Sequence, residues 1–108
     1  MKMVPGPVIH LLDVLNAIEG VREAVGSASF EEFCGSRPMR RAVERELEII
    51  SEASRHIPEN LKTEEPSIPW REIAGIGNVL RHDYQVISNT VVWNVLQIHL
   101  PPLEAVIW

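Results

Sequence analysis

The strongest constraint on the fold is an apolar residue at every third or fourth position of the segment 38–57. These residues form a single stripe along one side of a helix: Met39, Val43, Leu47, Ile50, Ala53 and Ile57. The opposite side is charged, with opposite charges three positions apart that can pair weakly: Arg41, Glu44, Arg45, Glu48, Glu52 and Arg55. The pattern predicts a long amphipathic helix with one buried face.

The same spacing predicts two helices before this one. The first covers residues 8–25 and ends at Gly26, with a broad buried face formed by Val8, Leu11, Leu12, Leu15, Ile18, Val21 and Val25. Ser29 and Glu32 then form a Ser-x-x-Glu capping box, which opens a short helix, "FEEFCG".

Two more helices follow a proline-rich linker, "PENLKTEEPSIP", which itself holds a short helical turn. Pro69 precedes "WREIAGIGNVLRHDY", in which Trp70, Ile73, Ile76 or Gly77, and Leu80 face one way. Ser88 or Asn89 caps a last helix, "TVVWNVLQIHL", which we expect to end at Pro101 and Pro102, so that "LEAVIW" closes the chain. Alternating strand patterns are absent. The predicted fold is all-α: one domain, residues 1–108, forming an antiparallel up-and-down bundle of four to five helices.

Composition narrows the class of protein further. Apolar residues make up 45% and charged residues 23%, as in ordinary globular domains. Fifteen Asp and Glu against ten Lys and Arg argue against non-specific nucleic-acid binding through bulk charge. No apolar run reaches the roughly 20 residues of a membrane span, no signal peptide is recognisable, and a single cysteine, Cys34, fits a reducing cytoplasm. His10, His56 and His99 show no metal-ligand spacing, so we expect neither a metal nor a cofactor.

The stretch "GNVLRHDY", residues 77–84, concentrates polar groups in an otherwise aliphatic region. His82 stands near a helix end, where a protonated imidazole complements the helix dipole and where imidazole is also well placed to move protons. Asn78 lies one turn earlier on the same face, and Tyr84 follows close by. Arg71 lies on nearly the same face but about 16 Å down the axis, too far to contact His82 within one chain. The residues alone leave a dipole-capping role and a catalytic role both open.

Three runs resemble the HepT-like family of HEPN-domain proteins, small helical toxins: "LEIISEASRHIPENL", "PSIPWREIAGIGNVLRHDY" and "VVWNVLQIHLPPLEA". The resemblance extends from Leu11 almost to the C-terminus. It implies a HEPN-like bundle that forms a homodimer, and a metal-independent ribonuclease whose composite cleft lies between two facing signature helices. It also implies a partner, a minimal nucleotidyltransferase antitoxin (MntA-type), which silences the toxin by transferring AMP to the signature tyrosine.

Carried over by position, the signature assigns roles to the residues of "GNVLRHDY". His82 becomes acid and base in RNA cleavage, Asn78 orients the substrate or the imidazole, Asp83 tunes the local charge, and Tyr84 is the AMP acceptor. Proton transfer to and from ribose oxygens suits imidazole, and a bidentate arginine suits the phosphate.

The chain departs from this signature at the arginine. In the family register the arginine directly precedes the asparagine, and here that position is Gly77. Arg81, adjacent to His82, and Arg45, on the preceding long helix, are the candidate substitutes. Alternatively, Gly77 with Ala74 and Gly75 forms a small-residue face that lets two helices approach closely.

Three functions therefore stand side by side. The first is an RNA-cleaving toxin. The second is a catalytically impaired partner subunit of the nucleotidyltransferase that binds a nucleotide or RNA without cutting it. The third is a structural dimerisation bundle, which leaves the polar cluster unexplained.

Overall fold

The computed structural model describes residues 6–82 and 89–107, and these ranges are almost entirely helical. The elements, in chain order, are α1 (Gly6–Val25), α2 (Phe30–Gly35), α3 (Arg37–Arg55), α4 (Glu59–Thr63), α5 (Trp70–His82), α6 (Asn89–Asn94), a π-helical turn (Val95–His99) and α7 (Leu100–Ile107). No strand occurs within the described ranges. The predicted all-α helical bundle is confirmed.

Helix α3 is the centre of the bundle, with α1 packed on one side and α5 on the other. Its apolar stripe is buried as predicted, and the core continues into α1, α5 and the C-terminal helices through Val14, Ile18, Val43, Leu47, Ile50, Ile73, Leu80, Leu96 and Leu103. Helix α2 lies across this core and packs Phe33 against Trp93 of α6, with ring centroids 5.3 Å apart. The long amphipathic helix therefore organises the whole fold.

The helix ends follow the local signals in the sequence. Gly26 ends α1 with φ +56°, a left-handed conformation that glycine adopts without steric cost. The capping box at α2 is formed in both directions, since the Glu32 amide donates to Ser29 Oγ at 3.1 Å and the Ser29 amide donates to Glu32 Oε1 at 2.8 Å. Ser36 caps α3 by accepting from the Met39 amide at 3.2 Å. These predicted boundaries are confirmed to within about two residues.

The predicted end of the last helix at Pro101 and Pro102 is wrong. The helical path continues from α6 through the π-helical turn into α7, which reaches Ile107. In this turn the Leu100 amide donates to the Val95 carbonyl, five residues earlier. The two prolines then occupy the first turn of α7, where a missing N–H costs least, and the wider turn before them relieves the clash of the proline rings with preceding carbonyls.

The first turns of α1 also differ from prediction. Val8 and Leu12 are 41% and 48% exposed, so the buried face of this helix begins only at Val14. The apolar spacing of the sequence therefore extends further towards the N-terminus of α1 than its buried face does. Neither α1 nor any other helix within residues 6–82 and 89–107 is both long and apolar enough to cross a membrane.

An ion pair joins the C-terminal turn of α1 to α7. Both terminal nitrogens of Arg22 donate to the carboxylate of Glu104. This hydrogen bonding lowers the pKa of Glu104 below its ordinary 4.5 and raises the pKa of Arg22. Because the Glu104 pKa is depressed on folding, the pair stabilises the fold at neutral pH, and the contribution is lost as the pH falls below 4.5.

Helix α5 is held on α3 by the hydroxyl of Ser51. This hydroxyl donates to the Ala74 carbonyl at 2.6 Å and accepts from the Gly77 amide at 3.0 Å. Ser51 is 2% exposed and Gly77 is buried, so both hydrogen bonds lie inside the helix interface. A hydroxyl can reach two backbone groups of a neighbouring helix only where the two helices approach closely, and the missing side chain of Gly77 is compatible with that approach. Gly75 is not required for it, since a Cβ added there would meet nothing within 4 Å.

We expect Ser51→Ala to lower the free energy of unfolding by about 1–2 kcal/mol, because a buried interhelical hydrogen-bonding group is removed. Urea denaturation followed by circular dichroism measures this change. Ser54→Ala is the matched control, since Ser54 is equally buried but its hydroxyl donates to the Ser51 carbonyl within α3. Equal losses in the two variants would show that the contact between α3 and α5 contributes nothing of its own.

Candidate functional site

The polar residues of α5 lie on the face opposite the core. Ile73, Gly77 and Leu80 are buried, whereas Arg71 and Asn78 are exposed. With 100° between successive residues, positions 71 and 78 fall within about 20° of each other, on the exposed side. Helix α5 therefore presents Arg71 and Asn78 outward, where a substrate or a second protein can reach them, whereas Gly77 faces α3.

The described ranges cover only part of the predicted site. Arg81 and His82 form the last two backbone positions of α5, but their side chains lie outside the described part of the structure, as do Asp83 and Tyr84 completely. The roles of these four residues stay predictions. Asn78 is described, and its exposed position is compatible with contact to a substrate.

Gly77 faces α3 and not the exposed face. Its amide is bound to Ser51 Oγ, and the residue is buried between the two helices. A side chain at this position would leave α5 towards α3 and lean back over the preceding turn, because Cα–Cβ bonds in helices tilt towards the N-terminus. The interface in this chain is thus compatible with glycine, which supports the close-packing interpretation of Gly77.

Arg45 lies elsewhere in the protomer. It lines an open groove of about 390 Å³ together with residues of α1, of α3 and of the C-cap of α3, among them His10, Glu48, Glu52 and His56. No residue of α5 contributes to the described lining of this groove. Within one protomer, Arg45 is therefore not next to Asn78, and its use as a substitute cation stays a prediction.

The groove also brings together two histidines that the sequence leaves far apart. The rings of His10 and His56 stack with centroids 4.6 Å apart and an interplanar angle of 18°. Stacked imidazoles direct their in-plane nitrogen lone pairs side by side and not towards one point, so stacking does not create a metal site. Across residues 6–82 and 89–107, no group of three or more His, Cys, Asp or Glu side chains is arranged to hold a metal ion.

Arg55 is the residue that sequence reasoning missed. It was assigned to the charged, solvated face of α3, yet its guanidinium reaches across to α5. Nε and Nη2 donate to the Ala74 carbonyl at 3.2 and 3.0 Å. Ala74 is one turn before Asn78, so a cation lies beside the signature face. The sequence carries no signal for this contact, because it depends on how α3 and α5 are rotated against each other.

A second open groove, of about 420 Å³, lies between α4 and α5, next to the contact of Arg55 with the Ala74 carbonyl. Ala74 forms one end of it, and its other lining residues are Glu59, Lys62, Thr63, Trp70 and Arg71. Trp70 is fixed there because its Nε1 donates to the carbonyls of Lys62 and Glu65 at 3.2 and 3.1 Å. The groove between α4 and α5 therefore combines two basic side chains, Lys62 and Arg71, with the ring of Trp70 and the carboxylate of Glu59.

Comparison with known proteins places the whole arrangement in a family. Residues 14–107 match the family model described as "Ribonuclease HepT-like". The chain is 38% identical to "Probable ribonuclease HepT" of Thermococcus cleftensis, over 88% of this chain and 86% of that protein. It is 34% identical to "Putative RNase MJ1380" of Methanocaldococcus jannaschii, over 87% and 86% of the two chains. It is also 34% identical to "Putative RNase TTE0752" of Caldanaerobacter subterraneus subsp. tengcongensis, over 88% and 85%.

No solved structure gives a significant match to the chain. The family match nevertheless spans α5 and the central helix α3 that supports it, which together carry the signature positions and the arginine beside them. On this evidence the chain belongs to the HepT-like ribonuclease family.

Proposed function

We propose that this protein is a metal-independent RNA endonuclease and acts as the toxin of a toxin–antitoxin pair. The observation that carries the proposal is the outward face of α5, with Asn78 exposed and His82 one turn further on, in a chain that belongs to the HepT-like family. The relatives cited above carry ribonuclease or RNase in their names, which supports RNA as the substrate.

Cleavage of RNA without a metal requires two proton transfers and stabilisation of a charged phosphorus centre. A base removes the proton of the 2′-hydroxyl, whose oxygen forms a bond to phosphorus. An acid protonates the 5′-oxygen as its bond to phosphorus breaks. In a homodimer whose two α5 helices face each other, the two copies of His82 supply the acid and the base, and Asn78 orients the substrate.

We expect purified wild-type protein to cleave single-stranded RNA equally in the presence and absence of EDTA. His82→Ala removes the proton-transfer group and lowers the rate by about 100-fold or more. Gel analysis of a labelled RNA measures both, with His99→Ala as the control for loss of an imidazole outside the proposed site. RNA left intact by wild-type protein, or cleavage abolished by EDTA, would contradict the proposal.

The absence of an arginine at position 77 favours a second candidate function, a partner subunit that binds RNA or a nucleotide without cutting it. The signature arginine is absent at this position, and loss of such a phosphate-stabilising group costs about two to four orders of magnitude in rate. In this case the bundle and its nucleotidyltransferase partner persist, and only the chemistry is lost. Cleavage by the wild-type protein decides between the two functions.

Restoring an arginine by Gly77→Arg tests whether glycine is a loss of function or a packing requirement. We expect the variant to have a free energy of unfolding about 1–3 kcal/mol lower than that of the wild type, because the new side chain enters the interface with α3. For the same reason we expect it to cleave RNA no faster than the wild type. Urea denaturation and the RNA assay measure the two effects. A stable variant with at least tenfold faster cleavage would show that the missing arginine limits the wild-type protein.

The proposed partner is a minimal nucleotidyltransferase antitoxin that modifies Tyr84. The phenolic oxygen of Tyr84 attacks the α-phosphorus of ATP, an ester bond to AMP forms, pyrophosphate leaves, and the phenolic proton is released. A bulky nucleotide with a negative charge two residues from His82 would block and repel the RNA phosphate.

We expect co-expression with a minimal nucleotidyltransferase of the MntA type to add one AMP to the wild-type chain and to relieve growth arrest. Tyr84→Phe lacks the acceptor oxygen and stays unmodified, while keeping the ring. Intact-protein mass spectrometry and colony counts follow the two effects. Modification of the Tyr84→Phe chain to the same extent as wild type would exclude Tyr84 as the acceptor.

A further inference from the structure

We propose that Arg55 is a phosphate-binding residue for single-stranded RNA and that it supplies, from α3, the guanidinium missing at position 77 of α5. The inference rests on the proposed function in that RNA is the ligand. It adds a residue that the linear signature does not contain.

The guanidinium of Arg55 is held in place by α5 but keeps N–H donors that can bind a ligand. Nε and Nη2 each donate one hydrogen bond to the Ala74 carbonyl, at 3.2 and 3.0 Å. An arginine carries five N–H donors in a rigid plane, so three remain: two on Nη1 and one on Nη2. The side chain is 41% exposed. A planar cation held by one edge, with its terminal edge open to solvent, is well suited to bind a phosphate in bidentate fashion.

The position of this guanidinium matches the path of the missing side chain. An arginine at position 77 would emerge towards α3 and lean back over the turn that contains Ala74. Arg55 reaches the same turn from the opposite helix, starting one turn beyond Ser51 on α3. The two arrangements place a cation at about the same height on α5, and in this chain the helix interface is closed by Ser51 and Gly77 instead.

The α4–α5 groove extends the basic surface along the same face. Ala74 belongs to both features, since its carbonyl binds Arg55 and the residue lines the groove with Lys62 and Arg71. Arg71 is exposed and has no carboxylate partner among the described residues. From Arg71 to Asn78 the axial rise is about 10 Å, and the outward positions between them form one continuous strip. Spaced cations beside an aromatic ring, Trp70, are typical of surfaces that bind single strands.

Two carboxylates oppose this surface only weakly. Glu52 Oε1 lies 3.9 Å from Arg55 Nη1, beyond hydrogen-bonding distance, and its side chain is 62% exposed. Glu59 Oε1 lies 3.7 Å from Lys62 Nζ and is 89% exposed. The Glu52–Arg55 pair is exposed on both sides, and such pairs between residues three positions apart are weak, so an RNA phosphate can displace it. Lys62 is only 14% exposed, so Arg55 and Arg71 are the more accessible cations of this surface.

The test measures binding separately from cleavage. A fluorescein-labelled 2′-O-methyl RNA of mixed sequence lacks the 2′-hydroxyl nucleophile, and fluorescence anisotropy gives its Kd between about 50 and 200 mM salt. We expect Arg55→Gln to raise Kd about tenfold, as for loss of one charge-assisted contact. The slope of log K against log salt falls by about 0.7 in magnitude. Arg41→Gln, with the same charge change on the exposed side of α3, is the control and changes Kd less than twofold.

Two further variants separate RNA binding from a purely structural role. Arg55→Lys keeps the charge but not the fork, so we expect an intermediate Kd with the salt slope of the wild type. Glu52→Gln removes the competing carboxylate and is expected to tighten RNA binding. Thermal unfolding of each variant shows whether the contact to Ala74 is needed for folding. If Arg55→Gln fails to fold, the Kd values of Arg55→Lys and Glu52→Gln for the labelled RNA decide the question instead.

The outcomes distinguish this inference from the proposed function. If wild-type protein cleaves RNA in a His82-dependent manner but Arg55→Gln binds RNA as Arg41→Gln does, the Arg55 assignment is overturned and the proposed function stands. If wild-type protein neither binds nor cleaves RNA, both are overturned. Weaker binding by Arg55→Gln with tighter binding by Glu52→Gln supports the assignment, whether or not the RNA is cut.

Discussion

The contact between α3 and α5 is the constraint on which the candidate site depends. A single hydroxyl, that of Ser51, bonds a carbonyl and an amide of α5 at 2.6 and 3.0 Å. These two bonds accompany the apolar packing of Leu47 and Ile73, which together hold α5 in one rotation against α3. A helix rotated by half a turn would bury Asn78 and expose Leu80, so the outward direction of Asn78 depends on this contact.

The same contact places Gly77 of α5 and Arg55 of α3 at one interface, with the arginine on the neighbouring helix and not at position 77. Gly77 is buried against α3, with its amide bound to Ser51, and the same packing brings Arg55 of α3 within reach of the Ala74 carbonyl. A linear signature counts residues along one helix, whereas a phosphate interacts with whatever donors surround it in space. A departure from the signature is therefore not in itself a loss of the cation.

Much of the fold was predictable because its signals are local. The capping box at Ser29, the stop at Gly26 and the stripe of α3 each depend on residues within one or two turns, and all three are confirmed. The end of the last helix was not predictable by the same rules. Pro101 and Pro102 lack amide protons, but a π-helical turn before them lets the chain continue into α7.

The sequence by itself determined the helical class, the boundaries of α1, α2 and α3, and the family, because the apolar period, the caps and the run "IPWREIAGIGNVLRHDY" are local features of the chain. Only the tertiary structure decided what surrounds α5. Arg45 lines a groove with α1, whereas Arg55 lies at Ala74, although both belong to the same charged face of α3 in the sequence. The physical reason is that helix rotation and interhelical distance are set by packing across the core, and no local pattern encodes them.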